Sequence, residues 1–164
     1  MNIVGPDALV FGVDDVDACK QFLLDYGLDD AGNGRFEAQD GTAVVIADKE
    51  DSSLPPALES GSMLRKTIYG VADQQTLDAI AEELGKDREV KKLDDGSLEA
   101  VDDLGFVLGF QVTIRKKLSL PAPKTNVPGS PDQRPLNDVA VSKDAEPKPV
   151  SLSHVVYFVP DYAK

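Results

Sequence analysis

A chain of 164 residues with 41% hydrophobic content can build one ordinary domain with a real core, and is too short for two full ones. Its formal charge of -12, from 29 acidic against 17 basic side chains, argues against nucleic acid or an anionic membrane surface as a partner, since both would repel it. The single cysteine, Cys19, excludes an internal disulfide and fits a reducing compartment. The opening MNIVGPDALV has no basic stretch ahead of a long apolar run, so the expectation is a cytoplasmic protein without leader or membrane span.

The first strand-like run is ALVFGV from Ala8. Asp14 and Asp15 can cap the helix that follows, in which Val16, Cys19, Phe22, Leu23 and Tyr26 recur three or four apart along one face before Gly27 stops it. Cys19 lies on that stripe and reads as a small buried side chain rather than a nucleophile. The runs RFEAQD and TAVVIAD follow as strands, and the glycines of DDAGNGRF lack the strand-to-helix setting of a dinucleotide site. A second cycle opens with KTIYGV from Lys66. Asp73 caps a helix striped by Leu77, Ile80, Ala81 and Leu84, Gly85 ends it, and SLEAVD and FVLGFQVTI are strands, with Asp95-Gly96 offering a tight hairpin turn. Acidic pairs such as Asp29-Asp30, Asp94-Asp95 and Asp102-Asp103 fall at turns, without the spacing of a calcium loop. Arg115, Lys116 and Lys117 close the last strand and read as a solvated edge. Residues 118–150 hold seven of the chain's 11 prolines and little apolar periodicity, which marks a linker. Beyond it HVVYFV reads as a strand, PD as a turn and YAK as the start of a helix.

The two cycles match each other. ALVFGVDD aligns on KTIYGVAD, placing Phe11 on Tyr69, Gly12 on Gly70, Val13 on Val71 and Asp15 on Asp73, while GLDDAGNGRFEAQDG and KLDDGSLEAVDD share LDD, a glycine, EA and D. That is an internal duplication of a strand, helix, three-strand unit. HVVYFVPD aligns on the same start, with Val159 on Val13 and Asp161 on Asp15, so the chain closes by opening a third copy. The expected organisation is a paired domain over 1–117 (units at about 7–50 and 64–115), the linker 118–150, and 151–164 as the first strand of a truncated C-terminal domain.

This pattern resembles the vicinal oxygen chelate superfamily of glyoxalases, bleomycin-resistance proteins and extradiol ring-cleaving dioxygenases. It is most similar to the N-terminal domain of a two-domain extradiol dioxygenase. The resemblance implies an α+β fold in which two βαβββ units form a curled mixed sheet with helices on the outer face. It implies a non-haem Fe(II) enzyme, or one using another divalent metal, acting on a small catechol-type aromatic in aromatic compound degradation. A homo-oligomer is compatible with it. The alternatives are a glyoxalase-like isomerase or lyase, and a metal-free module that sequesters a small molecule such as a drug.

Strand alternation puts Leu9, Phe11 and Val13 toward the helix and Ala8, Val10 and Gly12 toward the concave face, or cup. Val10, Lys66, Ile68 and Gly109 are the candidate cup lining. The resemblance places ligands at Ala8, at its counterpart Lys66 and, within VDDLGFVLGFQV, at Gly109. Alanine, lysine and glycine offer no donor to a divalent ion, so no metal is expected within residues 1–117. His154, the only histidine, takes the first ligand position of the third copy. The resemblance makes it the first metal ligand of the intact protein, with the remaining ligands and catalytic residues beyond Lys164 and this fragment inactive alone.

Overall fold

The structure is a computed structural model that describes residues 2–120, 131, 146 and 148–159. Most of the expected linker and the expected helix start at 162–164 lie outside the described residues. The first unit comprises β1 (Ile3–Val13), α1 (Val16–Asp25), β2 (Asp29–Gly32), β3 (Arg35–Glu37) and β4 (Ala43–Asp48). The second comprises β5 (Met63–Val71), α2 (Gln74–Leu84), β6 (Val90–Lys92), β7 (Leu98–Val101) and β8 (Val107–Val112). All eight strands join one open mixed sheet in the order β2-β3-β4-β1-β5-β8-β7-β6. Each unit pairs its first strand parallel to its last, β1 with β4 and β5 with β8, and the two units meet along the antiparallel β1/β5 seam. The α+β class and the paired βαβββ architecture are therefore as the sequence implied. Among the described residues no helix is long and apolar enough to cross a membrane.

Each helix is set by its cap and its stripe. Asp15 accepts from the Ala18 amide and Asp73 from the Thr76 amide, each satisfying an amide that the first helical turn leaves open, for about 1 kcal/mol. At the other end of α1 the chain turns through Gly27 at φ 96°, where the Leu28 amide reaches back to the Leu23 carbonyl. α1 lays Leu23 against Val13, Leu28, Phe36 and Ile46, and α2 lays Leu77 and Ile80 against Val71, Leu98 and Phe110. Burying each such side chain is worth about 1.5–3 kcal/mol. Cys19 packs against the first cluster, as its stripe position requires. Phe22 and Tyr26 do not: they are 66% and 63% exposed, because they fall at the rim of the stripe, where their rings stack on each other 6.2 Å apart.

The central seam carries three register shifts that the sequence pattern does not display, one between Ile3 and Gly5 and two bulges further along. Pro6 pairs with Tyr69 and Ala8 with Ile68, leaving Asp7 as an extra residue on β1; Val10 pairs with Lys66 and Phe11 with Leu64, leaving Arg65 as an extra residue on β5. Asp7 and Arg65 occupy equivalent positions in the two units, one residue before Ala8 and Lys66.

Candidate functional site

The strand register puts all four cup-lining candidates on the sheet face opposite the helices. Val10 stands across from Lys66 on the seam, and Ile68 stands across from Gly109 on the neighbouring parallel pair. Lys66 is already partnered: its Nζ lies 3.1 Å from Glu99 Oε2, with the two side chains 19% and 21% exposed. Glu99 comes from β7 directly opposite Gly109. Its counterpart in the first unit, Glu37, pairs with Arg35 at 2.8 Å. Both glutamates sit in the repeated EA of RFEA and SLEA, so the duplication itself was the signal that could have found them. Gly109 leaves no room for a ligating side chain without movement, since a Cβ there would stand 3.2 Å from Ile68 Cγ1. Ala8, Lys66 and Gly109 thus present an ammonium and no lone-pair donor. Among the described residues no three His, Cys, Asp or Glu side chains converge, so the donor set does not fit a divalent cation.

His154 lies on the other side of the sheet. Residues 151–159, expected as the first strand of a further domain, take neither helical nor strand structure here. Thr67 and Thr42, which they touch, share the helix-facing parity of Tyr69 and Val44, members of the two helix-packed cores. The Tyr157 hydroxyl hydrogen-bonds Thr67 Oγ1, and its ring meets Phe106 edge-on at 4.6 Å between centroids. Burial pushes the Tyr157 phenol up to about 12, against the opposing pull of the Thr67 hydrogen bond. Earlier in the segment, the Gln39 and Asp40 amides donate to the Pro149 and Val150 carbonyls, and the Leu152 amide donates to Thr42 Oγ1 at 2.7 Å. His154 itself is exposed, with Ser153 Oγ 3.0 Å from its Nδ1, beside a cavity of about 240 Å³ lined by Tyr26, Leu28, Val44 and Leu152. The structure brings Val10, Lys66, Ile68 and Gly109 together and does not bring His154 to them.

A buried ionic knot joins this segment to the sheet. Asp7, 0% exposed, accepts from Gln111 Nε2, Thr113 Oγ1 and the Ile114 amide at 2.9–3.1 Å, and faces Arg115 Nε at 3.4 Å. Arg115 Nη2 donates to the Pro6 and Leu152 carbonyls at 2.8 and 2.9 Å, and its Nη1 lies 3.8 Å from Asp40. Arg115 is therefore a half-buried hub and not a solvated edge. The basic run RKK concealed this because the partner Asp7 is more than a hundred residues away in sequence.

No protein-family model matches this sequence, and no curated protein matches it in sequence. Solved structures do match in fold. A catechol 2,3-dioxygenase superposes with a TM-score of 0.52 at 16% identity over 68% of this chain and 40% of its own. The Mn(II)-bound glyoxalase from Novosphingobium aromaticivorans gives 0.52 at 18% identity over 75% of this chain and 44% of its own. An extradiol ring-cleaving dioxygenase from B. fuscum gives 0.51 at 17% identity over 71% of this chain and 34% of its own. The chain shares the fold of these dioxygenases and this glyoxalase. It spans less than half the length of each of these three structures.

Proposed function

We propose that this chain is the metal-free, non-catalytic paired-unit domain of a larger extradiol ring-cleaving dioxygenase acting on a small catechol-type aromatic. The observation that carries the reading is the cup itself: the positions where this fold would hold a cation are Ala8, Lys66 and Gly109, and Lys66 is spent on Glu99. Fold likeness to two ring-cleaving dioxygenases, each more than twice as long as the matched part, supports the idea of a partner domain. In that larger protein His154 is the first ligand of an Fe(II) site whose other donors come from a further pair of units. The cytoplasm is the proposed compartment.

The test is anaerobic loading of the chain with ferrous ion, gel filtration, iron analysis and oxygen-electrode measurement with catechol. The expected result is iron well below one per chain and no catechol-dependent oxygen uptake, with both restored in a longer protein that carries the second pair of units. One tightly held iron in this chain alone, with uptake, overturns the non-catalytic assignment. A glyoxalase-like isomerase or lyase is the second reading, favoured by the equal TM-score of the Mn(II)-bound glyoxalase. A longer protein that holds Mn(II) and consumes no oxygen would move the assignment there.

A further inference from the structure

Residues 149–158 cross the helix-bearing face held at two separate places, and His154 lies between them. Upstream, two carbonyls of the segment accept from the Gln39 and Asp40 amides, and the Leu152 peptide is gripped from both ends: its amide by Thr42 and its carbonyl by Arg115. The Thr42 grip is pre-set. Its hydroxyl donates to Asp40 Oδ1 at 2.6 Å, which leaves a lone pair free for the Leu152 amide, and Thr42 and Asp40 are 0% and 6% exposed. Downstream, Tyr157 puts its ring against Phe106 and its hydroxyl on Thr67, itself 0% exposed. With the segment in place both threonines are buried, and their hydroxyls take the Leu152 amide and the Tyr157 hydroxyl as partners from it.

We propose that the helix-bearing face is a receptor groove for the chain's own residues 149–158, and that Arg115, Thr42 and Thr67 are positioning residues that fix the His154 imidazole at its mouth. The occupant is identified by the contacts themselves. The loop between β3 and β4 and Arg115 take up the Pro149, Val150 and Leu152 carbonyls, and Tyr157 sets its ring edge-on to Phe106 with its hydroxyl on Thr67. Outward-facing His154, Val156 and Phe158 stay exposed, so the segment is a strap whose outer stripe remains available. The assignment of His154 as a ligand rests on the proposed function; the strap does not.

Backbone NMR on the full chain tests it. Order parameters from Ser153 to Tyr157 are expected near 0.85, the value of rigid backbone, and the Gln39, Asp40 and Leu152 amides should exchange about tenfold to a hundredfold more slowly than free peptide. Tyr157→Ala should drop the His154 order parameter below about 0.6 and release the Leu152 amide, while β1/β5 seam amides stay protected. Tyr157→Phe, which keeps the ring contact, should restore most of the ordering. Arg115→Met should release the same amides from the other end; if it unfolds the domain, Tyr157→Ala alone decides, because Tyr157 lies outside the sheet. Order parameters below about 0.6 at His154 in the unmodified chain, or a Tyr157→Ala variant that leaves them unchanged, overturns the proposal. Such a failure would leave the dioxygenase reading untouched, since oxygen uptake and backbone order are read separately.

Discussion

Two of the three register shifts of the central seam, the bulges at Asp7 and Arg65, repeat one geometry with opposite chemistry. Asp7 on β1 lies over Gly70 of β5, where a Cβ would stand 2.4 Å from Asp7 Oδ1; Arg65 on β5 lies over Gly12 of β1, where a Cβ would stand 3.0 Å from Arg65 Nη1. Each grips the segment that leaves the last strand of the other unit. Asp7 accepts from Thr113 and Ile114 just after β8, and Arg65 donates to the Lys49, Pro55 and Gly61 carbonyls in the loop after β4. The glycine in each FGV or YGV triplet is thus a space-giving residue for the opposite unit's bulge. Charge decides what is tied down. An acceptor at position 7 recruits Arg115 and, through it, the strap; a donor at position 65 closes only the loop that joins the two units.

Removing the bulge side chains should separate the two roles. Asp7→Ala leaves a half-buried guanidinium without its carboxylate and three donors without an acceptor, and should cost about 3–5 kcal/mol in urea denaturation. Arg65→Met should cost less, about 1–3 kcal/mol, because the carbonyls it releases lie in a loop that water can reach. Equal losses would refute the difference in role. The glycines give the next effect down. Gly70→Ala should cost about 1–3 kcal/mol by forcing Asp7 off its donors. Gly12→Ala meets the Gly61 carbonyl at 2.5 Å, but in a loop that can shift, so it should cost less than Gly70→Ala in the same assay.

Much of this was written plainly in the chain. The duplication disclosed both units and the candidate cup face, and the N-caps Asp15 and Asp73 and the Asp95-Gly96 turn, with Gly96 at φ 83°, form as local rules dictate. Strands were longer than their apolar runs: β1 starts at Ile3 and β5 at Met63, because the antiparallel seam extends pairing through residues whose own pattern is not strand-like. Phe22 and Tyr26 show the limit of a stripe reading, since a ten-residue helix on a sheet buries a narrow face. Arg115, Thr42 and Thr67 were illegible for a different reason. Their partners are distant in sequence, and no period marks a polar residue as the floor of a groove. Along 154–159 the half-buried Val155, Tyr157 and Val159 alternate with exposed His154, Val156 and Phe158; which surface receives the first set is tertiary information.

The smallest effect separates the strap from the knot that holds it. Tyr157 is raised from its ordinary value near 10 to about 12, chiefly by burial, so the docked segment keeps a proton that a free tyrosine releases. Docking is therefore at full strength below pH 10 and weakens as pH rises through about 12. Tyr157→Phe should delete an ultraviolet ionisation phase near pH 12 while leaving the urea midpoint at neutral pH nearly unchanged. The Asp7 knot should behave in the opposite way, moving the midpoint strongly. If the phase that Tyr157→Phe removes lies near pH 10 the strap is undocked in solution, and if Tyr157→Phe lowers stability as far as Asp7→Ala, strap and sheet are one cooperative unit rather than two.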